Sequence, residues 1–133
     1  MKANMQKLIR VGIVSSVNTG NGTVRVIFED EDNKVSDELA VQQSLCGQDG
    51  KTYKMPIPGE QVVCTFLASG SSNGFVSGSI PSKDVPPAFN NINIMGIKFG
   101  PITISLNKSS GDIDINTTGN IKINGNTIKL NCD

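Results

Sequence analysis

The residues in this sequence that could do chemistry are three cysteines and one run of carboxylates. Cys46, Cys64 and Cys132 are odd in number and far apart, which fits neither a disulfide framework nor the close pairs of a zinc site. Cys64 lies in the apolar run 62–66 and is expected to be a small buried hydrophobe. The chain has no histidine, the commonest general base and metal ligand. We therefore expect no catalytic residue, no cofactor and no enzymatic activity.

The carboxylates of residues 29–32 raise the question of a metal site. They lack the alternate spacing and the closing Glu of a calcium loop, so a solvated turn is favoured. Three copies of Cys132 on a threefold axis would offer thiolates to a soft metal. A frayed terminus is the simpler interpretation of that residue. We predict no metal site.

Length and composition favour a β-rich protein with many turns. At 133 residues the chain has the size of one domain, or of one domain with an appendage. Its net charge is zero and only 18% of its residues are charged, so it has no electrostatic footprint for nucleic acid or an anionic membrane. It contains neither a signal peptide nor an apolar run of about eighteen residues. We expect it to be made and kept in a cytoplasm.

The last third of the chain is an imperfect repeat of short strands and turns. Apolar and polar residues alternate with the two-residue period of a strand, and Ser, Gly, Asn and Thr interrupt this alternation. Nine large aliphatic side chains fall on one face of these strands: Ile102, Ile104, Leu106, Ile113, Ile115, Ile121, Ile123, Ile128 and Leu130. Because the segment has no second apolar face, something else must cover these nine residues.

Two arrangements would cover this face. The segment could be an ordinary meander that lies on the remainder of its own chain, or several copies could turn their isoleucine faces toward a common axis. β-Helical rods and prisms are stacks of short strands with β-branched residues inside and polar residues outside. The second arrangement is therefore favoured for residues 92–133.

Residues 1–81 are predicted to form a small barrel. The expected strands are residues 8–17, 23–28, 35–42, 61–68 and 75–80. Gly12 interrupts the first strand, as expected where a strand bends or bulges at a barrel corner. Five short strands with a bent first one fit an OB-type barrel. Its longest loop is 43–58, and residues 82–91 are expected to be a linker.

The barrel half contains five short sequence blocks: Arg10-Val11-Gly12-Ile13-Val14, Gly22-Thr23-Val24-Arg25-Val26, Val35-Ser36-Asp37-x-Leu39, Pro58-Gly59-Glu60-Gln61-Val62 and Gly74-Phe75-Val76-Ser77-Gly78-Ser79-Ile80. In this order they resemble blocks of the baseplate assembly protein V family, the central spikes of contractile phage tails and related tail-like particles. The resemblance implies an all-β chain with an N-terminal five-stranded OB-type barrel and a C-terminal intertwined trimeric β-helix, or prism. The nine aliphatic residues would then be the trimer core.

The resemblance also implies a function. The protein would be a homotrimeric structural spike that docks to tail hub and baseplate proteins through its barrel. Its β-helix, with or without a tip-capping protein, would pierce the host cell envelope. It would be made in the host cytoplasm and carried in the virion tail baseplate or a tail-like particle. Family members commonly have an aromatic residue where this chain has Glu38. Many also end in a His-x-His pair that binds iron, which this sequence lacks.

The alternative is an OB-fold ligand- or nucleic-acid-binding module with a C-terminal oligomerisation ribbon. Binding of single strands needs aromatic platforms beside a basic groove. Phe28, Phe66 and Phe75 lie in apolar strands as expected core residues, which leaves a single platform, Tyr53. Residues 1–50 carry five Lys or Arg against seven Asp or Glu. We therefore expect no binding to nucleic acid.

Overall fold

The computed structural model describes residues 8–67 and 74–131 of the chain. Within these residues the protein is all-β, and no helix has the length and apolarity needed to cross a membrane. The chain divides into two compact units, Met1–Pro86 and Pro87–Asp133, and the boundary falls inside the predicted linker 82–91. The predictions about Cys132, and about residues 68–73 of the fourth strand and its following turn, lie outside the described residues.

The first unit is a closed five-stranded barrel. The unit has six strands, five of which form the barrel wall: β1 (Ile9–Asn18), β2 (Thr23–Phe28), β3 (Lys34–Val35), β4 (Leu39–Val41), β5 (Gln61–Phe66) and β6 (Gly74–Ser79). Hydrogen bonds join them in the order β1-β5-β6-β4-β2, and β2 pairs back to β1 to close the wall, with β3 attached to β2. The pairing of β4 with β6 is parallel and the others are antiparallel. This connectivity is compatible with an OB-type barrel.

The predicted third strand, 35–42, is present in two pieces because a bulge divides it. The register against β2 shifts by one residue between β3 and β4. At the bulge the Ser36 hydroxyl accepts a hydrogen bond from the Val26 amide at 3.0 Å and donates one to the Asp37 carbonyl at 2.7 Å. The Ser36 hydroxyl thus accepts the hydrogen bond of the Val26 amide that a backbone carbonyl would accept in a regular strand pair.

The inward faces of the strands form the barrel core. Its buried residues are Val14, Val24, Val26, Phe28, Leu39, Met55, Val62, Cys64, Phe66 and Val76. The alternation predicted for β2 is confirmed, since its three inward residues are buried and Arg25 between them is exposed. Cys64 is fully buried as expected, and burial raises the pKa of its thiol to about 11. The reactive thiolate is therefore scarce at neutral pH.

Arg10 lies against this core and links it to the turn after β2. Its guanidinium carbon lies 4.5 Å from the ring centroid of Phe66 and 5.1 Å from that of Phe28. The guanidinium also forms an ion pair with Glu31 at 2.9 Å. Glu31 belongs to a 3-10 turn, Glu29–Glu31, so one carboxylate of the acidic run has a structural role.

Gly12 permits a close approach of two strands. The bulge in β1 lies between Val14 and Ser16, beyond the position that the sequence suggested. A Cβ atom at Gly12 would lie 2.4 Å from Cγ1 of Val26 and 2.7 Å from the carbonyl oxygen of Ile27. Neither distance is tolerated in a packed interior, and the backbone oxygen cannot rotate away.

The second unit contains one antiparallel sheet of three strands. They are β7 (Ile94–Phe99), β8 (Ile102–Asn107) and β9 (Ile113–Asn116), in the order β7-β8-β9. Gly100 and Gly111, in the two connecting turns, have φ of 57° and 81°, which glycine adopts without strain. Residues 117–131 form no strand in the single chain. The strands predicted at 121–123 and 128–130 are therefore absent from it, and a β-helix is not shown.

Replacement of Gly12 by Ala should destabilise the barrel by about 1–3 kcal/mol, because the added methyl group overpacks the contact with β2. Gly78→Ala is the matched control, since an added Cβ in that strand has no neighbour within 4 Å. Urea unfolding followed by far-UV circular dichroism measures both. Equal losses of stability in the two variants would contradict the close approach at Gly12.

Candidate self-association face

The strands of the second unit place their large apolar side chains on one side of the sheet. Their registers set these residues opposite one another in rows: Met95-Leu106-Ile113, Ile97-Ile104-Ile115 and Phe99-Ile102. Directly paired residues of an antiparallel sheet point to the same side. These eight side chains therefore form one continuous surface, called the apolar face below.

The other side of the sheet is mostly polar. Its rows are Ile94-Asn107, Gly96-Ser105-Asp114 and Lys98-Thr103-Asn116. Phe89 lies against this side, because a Cβ atom at Gly96 would be 3.1 Å from its ring and 2.4 Å from the Ile104 carbonyl oxygen. Along β8 the polar residues are consequently less exposed than the apolar ones. The chain thus partly covers the polar side of its own sheet and leaves the apolar side bare.

Within the part of the chain that the structure describes, the apolar face is largely uncovered. Its eight side chains are between 38% and 72% exposed. No charged residue belongs to its rows. At one end of the face a recess of about 370 Å³ is lined in part by Met95, Leu106 and Ile113. Contiguous apolar surfaces of this kind are rare on monomeric soluble proteins and mark places where another surface docks.

The structure divides the nine residues predicted as a trimer core into two groups. Ile102, Ile104, Leu106, Ile113 and Ile115 belong to the apolar face. The remaining four lie in residues 117–131, outside the sheet, and are also exposed: Ile121, Ile123, Ile128 and Leu130. In a single chain the sheet thus collects the first five and not the last four.

Three residues of the apolar face were not predicted as core residues: Met95, Ile97 and Phe99. They belong to β7 and pair with the three predicted residues of β8. The signal was present in the sequence, because the three alternate with Gly96 and Lys98 at the period of a strand. Methionine and phenylalanine do not fit the isoleucine repeat, and for that reason the repeat was predicted to begin only at Ile102.

The residues that could act chemically are dispersed. Among residues 8–67 and 74–131, no group of three or more His, Cys, Asp or Glu side chains is placed to hold a metal ion. Cys46 is exposed and Cys64 is buried, and neither forms a disulfide. The apolar face is therefore the feature of the described residues with the clearest capacity for function, and that capacity is for binding.

Glu38, which stands where the resembling family commonly has an aromatic residue, ties the β2–β4 region to the first turn. Its Oε1 accepts hydrogen bonds from the Thr23 hydroxyl at 2.6 Å and from the Asn18 amide at 2.9 Å. These bonds, with that of Thr23 the stronger cause, hold the pKa of the carboxyl below its ordinary value. The carboxylate takes on a local structural role at this strand edge.

Comparison of the sequence with protein-family models and with curated proteins finds no match. A proposal for function therefore depends on the apolar face, on the barrel, and on the resemblance of the five sequence blocks.

Ile115→Asp should prevent self-association, because each copy would bring a carboxylate into an apolar contact. Asp114→Asn is the matched control. Asp114 is next to Ile115 in the chain but lies on the polar side of the sheet, opposite Ser105, so this substitution should leave the oligomeric mass unchanged. Sedimentation equilibrium at micromolar concentration measures both. Equal behaviour of the two variants would show that the apolar side of β9 is not the contacting side.

Thr23→Val should raise the pKa of Glu38, because it removes the main hydrogen bond to the carboxylate. Since folding lowers this pKa, the carboxylate contributes stability above the pKa of the unfolded chain and loses it as the pH falls through the folded value. An NMR titration of the Glu38 carboxyl carbon measures the change. Ser77→Ala removes a hydroxyl bonded elsewhere, to Thr65 and Val63, and should leave the titration unaltered.

Proposed function

We propose that the protein is the structural central spike of a contractile phage tail or of a tail-like particle. Three copies form the spike, dock to the tail hub through their OB-type barrels and pierce the host cell envelope with a C-terminal intertwined β-helix. The observation that carries this proposal is the apolar face, whose large apolar side chains are exposed in a single chain and would suit the interior of an assembly. The role is mechanical and needs no catalytic residue.

Copies of the same sheet are the simplest cover for the apolar face. In a triangular prism each sheet turns its apolar side to the axis and its polar side, with Lys98 and Asp114, to solvent. Each large apolar side chain buried in this way contributes about 1.5–3 kcal/mol. Two sheets would also cover each other, and the number three comes from the resemblance.

Residues 117–131 support an intertwined arrangement. They continue the isoleucine alternation, yet they pair with no strand among the described residues of one chain. A strand cannot leave its amide and carbonyl groups without partners in a packed assembly. In an intertwined prism the neighbouring copies supply those partners, each step of the stack measuring about 4.7 Å. Such pairing leaves few free edges and gives the rigidity that a penetrating rod requires.

Three of the five resembling blocks contain a glycine at a position that the barrel needs. Gly12 and Gly74 leave no room for a Cβ atom, the latter because the Phe66 ring would lie 2.5 Å from it. Gly59, in the fourth block, has φ of 98°, which glycine accepts and other residues rarely do. The blocks thus bear on the barrel fold, and docking to the hub follows from the resemblance.

Mass in solution tests the proposal against a ligand-binding module. The full chain should sediment as three copies at micromolar concentration, with no folded monomer. It should also fail to bind single-stranded DNA at physiological salt, since it has no basic groove. A compact folded monomer would refute the spike, and a salt-dependent affinity lost in Tyr53→Ala would favour the OB-fold alternative.

Separate expression of the two units should show that the C-terminal unit, and not the barrel, forms the stable trimer. Residues 87–133 should remain trimeric in detergent at temperatures where ordinary single domains have melted, because an intertwined prism unfolds slowly. Residues 1–86 should form no trimer of comparable heat resistance. Gel electrophoresis of heated and unheated samples measures both. A heat-resistant trimer of the barrel fragment alone would remove the piercing role from the C-terminal unit.

A further inference from the structure

Residues 43–57, predicted as a loop, form a hairpin in the first unit that we call the arm. Hydrogen bonds or a β-bridge join residue pairs along its length: Gln43 with Lys54, Leu45 with Thr52, Cys46 with Lys51, and Gly47 with Gly50. At its base the side-chain amide of Gln43 donates to the Lys54 carbonyl and accepts from the Lys54 amide. Met55 anchors the arm in the barrel core. The arm is therefore an ordered projection.

The arm exposes large apolar side chains on both of its sides. Leu45, Tyr53 and Ile57 are 62%, 69% and 61% exposed. Opposed residues of a hairpin share a side, so Leu45 lies with Thr52, and Tyr53 lies on the other side with Lys51. An ordered hairpin with exposed apolar residues on both sides is suited to insertion against another protein surface.

The distribution of charge indicates which surface. The arm carries Lys51 and Lys54, with Asp49 near its tip. The acidic turn, residues 29–32, carries four carboxylates, of which Glu31 pairs with Arg10. Val35, shortly after the turn, is 49% exposed and lines a recess of about 110 Å³ with two core phenylalanines and with polar and charged residues, Lys34 among them. The same chain thus holds a projection that carries lysines and exposed apolar side chains, and an acidic turn followed by an exposed valine.

We propose that the arm of one copy docks on the acidic turn of the next copy, with Lys51 facing the carboxylates of residues 29–32 and an apolar side chain of the arm against Val35. The inference rests on the homotrimer of the proposed function. Arm and turn are different patches of one chain, so the contact is heterologous, and heterologous contacts close into a ring under threefold rotation. A second copy always supplies one acidic turn for each arm.

Cross-linking of the full chain tests this contact, because the arm already carries the exposed thiol of Cys46. Asp30→Cys adds a thiol to the acidic turn, in a background with Cys132→Ser. A short bismaleimide should then yield covalent dimers and trimers on a reducing gel. Asn21→Cys, in the exposed turn between β1 and β2, is the matched control and should yield neither. Dimers formed through Cys46 alone, without the added thiol, would overturn the heterologous arrangement.

Charge reversal tests the chemistry of the same contact. In the Asp30→Cys protein, Lys51→Glu should lower the yield of cross-linked trimer several-fold, because like charges would meet. Glu29→Lys added to Lys51→Glu should restore most of it. An unchanged yield in Lys51→Glu would overturn the proposal. Sedimentation of each sample separates the two failures: trimers without cross-links refute the arm contact alone, whereas monomers refute the homotrimer as well.

Discussion

The constraint on which this structure depends is a β-sheet face that one chain leaves open to water. Eight large apolar side chains stand in register on that face, and burial is worth about 1.5–3 kcal/mol for each. Their sum is of the same order as the net stability of a whole domain, about 5–15 kcal/mol. Under the proposed function, folding of the second unit and association of copies are consequently one event, because neither is favourable without the other.

The barrel, in contrast, buries its apolar face within a single chain. Its wall closes on itself, its apolar residues alternate inward, and Met55 enters the core from the arm. The stacking of Arg10 on two phenylalanine rings, with Glu31 as counter-ion, allows a charged group to sit against that core. One unit thus completes its own interior and the other does not. Under the proposed function, the sheet supplies the assembly contact and surfaces of the barrel serve recognition by other proteins.

What the sequence predicted well was local. A two-residue period and turn residues depend on neighbours along the chain, and they sufficed for the barrel strands and for the common face of Ile102, Ile104 and Leu106. What it predicted poorly depends on distant partners. The bulge at Ser36 depends on the register with β2. The arm was predicted as a loop because, at its base, hydrogen bonds of the Gln43 side chain stand in place of the backbone bonds of a strand pair. Residues 117–131 have no partner strand among the residues that the structure describes.

The two sides of the sheet differ enough to fix which one an assembly would bury. A slip of one residue in register would exchange the sides of every strand. Lys98 and Asp114 would then stand on the inner side, and threefold symmetry would bring three like charges of each kind together in a dry interior. The cost of burying these charges opposes the inverted arrangement, and apolar burial favours the correct one. Under the proposed function, a rod built in this way has its packing specified by its own side chains, which suits a part that must hold its shape under load.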